Sequence, residues 1–213
     1  MKRAHHPDQK ERRRQSILDT AERMLQIHDF HALRMADLAQ ELGLAKGTLY
    51  TYFPTKESLF LALLAQHMEG WFAGAAGALD ALKSPGGPGP VAHALLAPMA
   101  AHPLLPRLLA ILHTVLEQNR PVEDVITFKR FLLHGLESLA PRVESRLPGI
   151  LPGSGVQALL RLHALVVGFQ SMAQRPPAVD AALREPDLAV LALDFTPALE
   201  QTFADLLTGM SRS

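Results

Sequence analysis

Hydrophobic residues recur along nearly the whole chain at intervals of three and four, and no stretch sustains an alternation of hydrophobic and polar residues. The first pattern places hydrophobic side chains on one face of an α-helix, whereas alternation is typical of a strand. Prolines and glycines divide the chain into predicted helices at about 9–27, 35–42, 45–53, 56–82, 91–101, 103–118, 121–147, 154–175 and 187–209. We therefore expect an all-α fold.

Three features at the predicted helix ends carry specific expectations. Residues 84–90 read Ser-Pro-Gly-Gly-Pro-Gly-Pro, a composition that predicts a loop and excludes a helix. Thr55 is expected to cap the long helix that follows Pro54. Pro197 falls inside the last predicted helix, directly after the natural cap residue Thr196, so we expect a kink or a short break there.

Composition excludes several classes of function. The chain has 213 residues, no cysteine, and 21 basic and 21 acidic side chains. Without cysteine there are no disulfides, thiolate metal sites or cysteine nucleophiles. Neither metal-ligand spacing nor a paired nucleophile and base is evident, so we expect no enzyme and no cofactor. No apolar run approaches the length of a membrane span and no signal peptide is evident, so we expect a cytoplasmic protein that contacts no membrane.

Charge is unevenly distributed even though the totals cancel. Six of the basic residues fall in the first fourteen positions, namely Lys2, Arg3, Lys10, Arg12, Arg13 and Arg14. A basic arm ahead of a compact domain is typical of a tail that lies along DNA phosphates. A solubilising, disordered terminus would have the same composition, and both interpretations stay open.

The segment 34–53 has the spacing of a helix-turn-helix, with Gly43 in the turn. At ~100° per residue, the second of its helices has a packing side made of Ala45, Leu49, Tyr52 and Phe53. The opposite side carries Gly47 and Thr51, flanked by Thr48 and Tyr50, with Lys46 where the helix begins. Such a face suits a DNA groove, because glycine permits close approach and hydroxyl groups bond to phosphates or bases.

Residues 10–64 resemble the DNA-binding domain of the TetR family. The resemblance rests on Asp37-Leu38-Ala39 and on the string from Gly43 to Leu59, Gly-Leu-Ala-Lys-Gly-Thr-Leu-Tyr-Thr-Tyr-Phe-Pro-Thr-Lys-Glu-Ser-Leu. It implies an N-terminal three-helix helix-turn-helix DNA-binding domain with a basic arm (1–55) and a larger helical effector-binding and dimerisation domain (56–213). It also implies a homodimer whose recognition helices enter successive major grooves of pseudo-palindromic double-stranded operator DNA.

The resemblance assigns DNA contacts to Lys46, Gly47, Thr48, Tyr50, Thr51, Tyr52 and Lys56. We expect that only a phosphate can reach Lys56, because it stands at a helix N-terminus. This sequence departs from the family pattern at two positions. Ala45 replaces a frequent Ser or Thr, so the cap of the recognition helix is lost. Arg34 replaces a usual Thr, and we expect it to exchange a hydroxyl–phosphate bond for a charge contact.

The C-terminal domain contains candidates for an apolar effector pocket with a few polar anchors. They are His67, Met68, Trp71, His113, Phe128, Phe131, His134, Phe169 and Met172. For each of them, ordinary core is the alternative interpretation.

Residues 159–172 are hydrophobic almost all round, and a helix of this kind must be covered on more than one side. The last helix covers only part of it. Together with the family pattern, this predicts a homodimer through the helices near 154–175 and 187–209, which would form a four-helix interface. A monomer that buries both faces with its own helices is the alternative.

Together these features predict a ligand-responsive transcriptional regulator. Specifically, we expect a repressor that a small apolar effector releases from operator DNA, with the 56–82 helix carrying the signal. One alternative is a DNA-binding regulator or activator that has no small-molecule ligand. An enzyme built on the helical body is another, although no constellation of catalytic residues supports it.

Overall fold

A computed structural model describes residues 5–83, 85–118 and 120–211. Throughout those residues the regular structure is helical, and no strand is present. The helices are α1 (His5–Ile27), α2 (Met35–Glu41), α3 (Lys46–Tyr52), α4 (Lys56–Ala81), α5 (Pro88–Leu96), α6 (Leu105–Ala110), α7 (Val122–Arg146), α8 (Gly155–Ala173), α9 (Pro177–Ala182) and α10 (Phe195–Met210). Shorter helical turns are the 3₁₀ turns Ala97–Ala101 and Ala189–Leu191 and the π-helical turn Leu112–Leu116. The expectation of an all-α fold is confirmed.

The described chain forms two compact units. The first holds residues 5–67 together with 111–118, and the second holds residues 68–110 and 120–211. α4 therefore contributes its first half to one unit and its second half to the other. This division by contacts differs from the predicted boundary after residue 55.

The first unit is built on α1, which packs on α2, while α2 packs on α3. Its core contains Ile17 and Leu18 of α1, Leu49 of α3 and Leu59 of α4, each at most 1% exposed. Burying a large aliphatic side chain contributes about 1.5–3 kcal/mol, so these contacts contribute strongly to the stability of the first unit, in which α2 and α3 have only seven residues each.

In the second unit, α8 packs against α6, α7 and α10, and α10 also packs on α5. Two glycines permit the closest approaches. A Cβ at Gly135 of α7 would overlap the Phe72 ring, and a Cβ at Gly155 of α8 would lie 2.6 Å from the Ala140 carbonyl oxygen. The close packing of α4, α7 and α8 therefore depends on the small size of these two residues.

Arginines near the end of α7 hold the end of α4. Arg146 donates from Nε to the Leu79 carbonyl at 3.1 Å, and the Arg146 carbonyl accepts the Gly87 N–H at 2.9 Å. Arg142 Nε lies 3.1 Å from Asp80 Oδ1. These bonds satisfy backbone carbonyls at the end of α4 and the backbone N–H of Gly87, directly before α5.

Both expectations for the proline segments are confirmed only in part, because residues 85–87 are non-helical and a short break precedes α10 at residues 192–194. α5 begins at Pro88, so residues 88–90 of the predicted loop are helical. Proline suits a first helical turn because its missing N–H would have no partner there. Pro197 likewise lies in the first turn of α10 and causes no break within it. The last predicted helix is interrupted earlier, and Asp194, rather than Thr196, occupies the N-cap position.

Three other predicted bounds also change. α1 begins at His5, four residues before the predicted start, and Lys10, Arg12, Arg13 and Arg14 are helical as the predicted helix 9–27 requires, whereas Lys2 and Arg3 lie outside the described residues. The predicted helix 91–101 changes from α to 3₁₀ geometry at Ala97, and the predicted helix 103–118 changes from α6 to the π-helical turn.

One helix passes a length and composition test for crossing a membrane. α8 has 19 residues and a mean hydropathy of 1.2 over its most apolar window, although Gln157, Arg161 and His163 interrupt its apolar sequence. Only 22% of that window is buried within the chain. α8 therefore presents a large apolar surface that the described residues of its own chain leave uncovered.

Candidate DNA-binding surface

The turn between α2 and α3 is closed by backbone hydrogen bonds around a glycine. Gly43 has a φ of +62°, in the left-handed region that glycine adopts most readily. Its N–H donates to the Gln40 carbonyl at 3.0 Å, and the Leu44 N–H donates to the Ala39 carbonyl at 2.8 Å. This pair of bonds satisfies the last carbonyls of α2 and fixes the direction in which α3 departs.

The inner side of α3 packs much as its periodicity predicts. Leu49 and Phe53 are 0% and 3% exposed, and Tyr52 is half-buried. The Arg14 guanidinium of α1 lies 5.2 Å from the centre of the Phe53 ring, which ties the end of α3 to α1. Ala45 is exposed, so the expectation that it belongs to the packing side is wrong. It precedes the first helical turn and provides no side-chain cap, as the departure from the family pattern predicts.

The outer side of α3 consists of five exposed residues: Lys46, Gly47, Thr48, Tyr50 and Thr51. No atom lies within 4 Å of the position that a Cβ at Gly47 would occupy. Thr51 is exposed, and its hydroxyl donates to the Thr48 carbonyl at 2.6 Å, so the hydroxyl oxygen can still accept a hydrogen bond. The surface therefore combines a backbone open to close approach, small polar groups, one exposed aromatic ring and one positive charge.

Arg34 precedes α2 and is paired within its own segment. Its guanidinium donates to the two carboxylate oxygens of Asp37 at 2.9 and 2.8 Å. The hydrogen bond from Arg34 lowers the pKa of Asp37, and the same bond raises the pKa of Arg34. A phosphate would thus compete with an existing carboxylate partner, so a DNA contact by Arg34 stays a prediction.

Lys56 is held by the polypeptide of its own unit. Its Nζ donates to the carbonyls of Phe30 and Leu33 at 2.9 and 3.0 Å and lies 4.1 Å from the centre of the Phe30 ring. Partial burial lowers the pKa of Lys56. Two backbone carbonyls of the chain thus already bind this ammonium group, and the expected phosphate contact is not tested by them. Since an ammonium has three donors, one remains for DNA, and that contact stays a prediction.

The N-terminus of α4 has the predicted cap. The Ser58 N–H donates to Thr55 Oγ1 at 3.0 Å, and the Thr55 N–H donates to Ser58 Oγ at 3.1 Å. This reciprocal pair satisfies two backbone donors where α4 begins, immediately after the chain leaves α3.

α1 contributes a second polar surface to the first unit. Lys10, Arg12 and Arg13 are exposed, and Gln9, Arg12, Arg13 and Ser16 line an open hollow of about 590 Å³. Their guanidinium and ammonium groups suit phosphate oxygens.

The predicted effector residues are divided between the two units. Trp71, Phe128 and Phe131 join one aromatic cluster in the second unit, with ring centres 5.2 Å apart for Trp71 and Phe72, 6.2 Å for Phe72 and Phe131 and 6.0 Å for Phe128 and Phe131. Trp71 Nε1 donates to the Leu95 carbonyl at 2.8 Å. Met68 is also buried in this unit.

The remaining candidates lie elsewhere. His67 and His113 belong to the first unit, where His67 Nε2 lies 3.6 Å from Glu22 Oε1 and His113 Nδ1 lies 3.0 Å from Glu117 Oε2. In the second unit His134 is exposed, Met172 is 60% exposed and Phe169 is half-buried. Neither unit by itself therefore contains all nine residues, and the role of each residue stays a prediction.

Sequence reasoning missed a cavity in the second unit. Its volume is about 290 Å³, and its walls come from the 3₁₀ turn Ala97–Ala101, the start of α6, the end of α8 and the start of α10. No local sequence pattern announces such a cavity, because each element contributes only one to four residues.

Profiles of protein families match almost the whole chain. "Bacterial regulatory proteins, tetR family" matches residues 17–63, and "Tetracyclin repressor-like, C-terminal domain" matches residues 65–213. The chain belongs to the TetR family. The helix-turn-helix built by α2 and α3 lies within the first match, and both α8 and α10 lie within the second.

Individual curated relatives match only a short part of the chain. The transcriptional regulator EthR of Mycolicibacterium smegmatis is 40% identical over 52 residues, which is 24% of each chain. The transcriptional regulator RutR of Escherichia coli K12 is 34% identical over 61 residues, 29% of each chain. The chain thus matches under a third of the length of these curated relatives.

Two solved structures have the same fold over more than nine-tenths of the chain. A tetR family transcription regulator from Shewanella sp. PV-4 has 21% identity and a TM-score of 0.52, with 91% of this chain and 96% of that chain covered. The regulatory protein SCO4313 has 17% identity and a TM-score of 0.58, with 96% and 98% covered.

Proposed function

We propose that this TetR-family chain is a cytoplasmic transcriptional regulator that binds pseudo-palindromic operator DNA as a homodimer. In our proposal it acts as a repressor, and a small apolar effector releases it. The outer side of α3 is the observation that carries the proposal. A solvated helix surface normally recruits Glu, Lys and Gln, whereas this one presents Gly47, Thr48, Tyr50 and Thr51.

The proposed chemistry at this surface follows from the groups exposed. The open backbone at Gly47 allows α3 to approach the floor of the major groove, and the Thr51 methyl can contact a thymine methyl. Lys46 supplies a charge for a phosphate beside the groove. We propose that Tyr50 and Thr48 contact the groove edges and that the half-buried Tyr52 presents its hydroxyl alone.

Dimerisation is supported by the uncovered surface of α8. Leu160 and Met172 are 44% and 60% exposed, and Ala164 and Gly168, one helical turn apart between them, are also exposed. Small residues in the middle of such a surface let a second helix approach closely. We therefore assign the apolar character of α8 to contact with a second copy rather than with a membrane, with α10 completing the interface.

Binding-site selection tests this proposal. The purified full chain is mixed with random duplex DNA, and bound duplexes are amplified and sequenced. We expect two inverted half-sites with a fixed spacing, because a two-fold symmetric dimer presents two copies of α3. A matched protein in which Thr48 and Thr51 are both replaced by Glu should enrich no sequence while unfolding at the wild-type temperature. Enrichment of a single asymmetric half-site by the wild type would contradict the dimeric arrangement.

The second candidate function, a DNA-binding regulator or activator without a small-molecule ligand, predicts a different effect of apolar compounds on operator affinity. If the chain is a regulator or activator with no small ligand, operator affinity will be the same in the presence of any apolar compound that binds the protein. The 290 Å³ cavity favours ligand control, because it provides an apolar environment bordered by two neutral polar side chains.

A further inference from the structure

We propose that the 290 Å³ cavity beside the 3₁₀ turn Ala97–Ala101 is a binding site for a small, uncharged, largely apolar molecule. This inference rests on the proposed function, and it places effector binding away from the residues that the sequence pattern suggested. The cavity lies wholly within the second unit, and none of the nine predicted effector residues lines it.

The lining of the cavity defines the chemistry of the ligand. Most of its surface is apolar, with Met99, Pro103 and Leu199 among the wall residues. None of its ten lining residues is ionisable, so a charged ligand would lose its hydration without gaining an ion pair. An uncharged ligand therefore fits best.

Two neutral polar residues also border the cavity. They are Gln170 near the end of α8 and Thr196 at the start of α10. Neither the Gln170 amide nor the Thr196 hydroxyl hydrogen-bonds to another residue in the described part of the chain. A ligand with one donor or acceptor can use these groups, and they would fix its orientation in an otherwise apolar site.

The wall formed by the 3₁₀ turn connects the cavity to α4. Ala100 and Met99 of this turn line the cavity, and Pro98 of the same turn packs on α4 at Gly74. A Cβ at Gly74 would lie only 3.0 Å from Pro98 Cβ, and a Cβ at Gly70, one turn earlier, would overlap the His102 ring. Displacement of the turn by a ligand therefore acts directly on α4, which continues into the DNA-binding unit.

The position of the cavity also relates it to the proposed dimer interface. Gln170 belongs to α8 and Leu199 to α10, the two helices assigned to that interface. One molecule in this cavity would thus contact α8 and α10 directly, and it would reach α4 only through the 3₁₀ turn that packs on Gly74.

N-phenyl-1-naphthylamine is a suitable probe, because it is uncharged, mostly aromatic and carries one N–H, and its fluorescence rises in apolar surroundings. Ala100 and Ala101 form a matched pair for the test. Both are exposed residues of the same 3₁₀ turn, but only Ala100 lines the cavity. We expect Ala100→Trp to weaken probe binding at least tenfold, while Ala101→Trp binds it as the wild type does. Gln170→Leu should weaken it about three- to tenfold, the effect of one neutral hydrogen bond.

Several outcomes would overturn the assignment. Saturable binding that is unaffected by Ala100→Trp would place the probe elsewhere, and an absence of saturable binding to the wild type would reject the site. Thermal unfolding of each variant, followed by circular dichroism, separates loss of the cavity from loss of the fold. Operator affinity without the probe tests the proposed function independently, since Ala100→Trp should retain it.

The coupling through the 3₁₀ turn has its own test. We expect saturating probe to weaken operator binding by the wild type about tenfold and by Ala100→Trp less than twofold. Gly74→Ala should push the turn toward the cavity and weaken probe binding severalfold. Gly77→Ala is the control in the same helix, because nothing lies within 4 Å of its Cβ position. Probe binding without any change in operator affinity would reject the coupling.

Discussion

Replacing Gly47 with Ala separates the stability of the free protein from its fit to DNA. In the free protein the added methyl group meets no atom within 4 Å, so it creates no clash. Glycine is less favourable than alanine in a helix by about 0.5–1 kcal/mol. We therefore expect Gly47→Ala to raise the free energy of unfolding by up to about 1 kcal/mol.

The same methyl group should weaken binding to DNA. It projects from the outer side of α3 toward the groove, where the proposed complex uses the bare backbone. If the methyl group weakens each recognition helix by about 1.4 kcal/mol, affinity falls tenfold per protomer, and about a hundredfold for a dimer that inserts two helices. The assay is a titration of the selected operator by fluorescence anisotropy, with unfolding measured in parallel by urea denaturation.

Gly77→Ala is the matched control for this experiment. Gly77 is an exposed residue of α4 with equally open surroundings, so the substitution should stabilise the protein similarly and leave operator affinity unchanged. Wild-type affinity in Gly47→Ala would show that this side of α3 does not face DNA. An equal loss in both variants would attribute the effect to added helix stability and would also refute the reasoning.

Three further predictions concern the charges and the interface. Lys56→Met should lower the free energy of unfolding by about 1–3 kcal/mol, because two carbonyls lose their donor; an unchanged urea midpoint would contradict this. Asp37→Asn should tighten binding to every DNA sequence alike and steepen its dependence on salt, because it frees Arg34 for phosphate; a change confined to certain base pairs in the titration would exclude that role. Leu160→Glu should yield folded monomers in sedimentation, and a dimer of wild-type stability would show that α8 lies outside the interface.

Much of the DNA-binding surface follows from the sequence, because helical periodicity alone orients a short helix. Leu49 and Phe53 are buried and Gly47 and Thr51 are exposed, as that periodicity predicts. The prediction that Ala45 packs inward was wrong. Ala45 precedes the helix, so its side chain does not follow the helical rotation.

The environment of Lys56 could not be predicted in this way. Its partners, Phe30 and Leu33, lie more than twenty positions earlier in the chain, and only the packing of α4 near the turn after α1 brings them within reach. Long-range contacts also form the cavity beside the 3₁₀ turn. The hydrophobic periodicity of a single helix predicts neither the environment of Lys56 nor this cavity.

The missing cap at Ala45 has a consequence for the kinetics and heat of DNA binding. α3 has only seven residues, among them Gly47 and two threonines, and no side chain caps its first turn. Helices this short are marginal without tertiary contacts, and here Leu49 supplies the one fully buried anchor. The amide protons of α3 should therefore exchange with solvent faster than those of α1 in the free protein, and operator DNA should slow them. Part of the heat released on binding would then come from ordering the recognition helix itself, which makes the association enthalpy sensitive to substitutions that never touch a base.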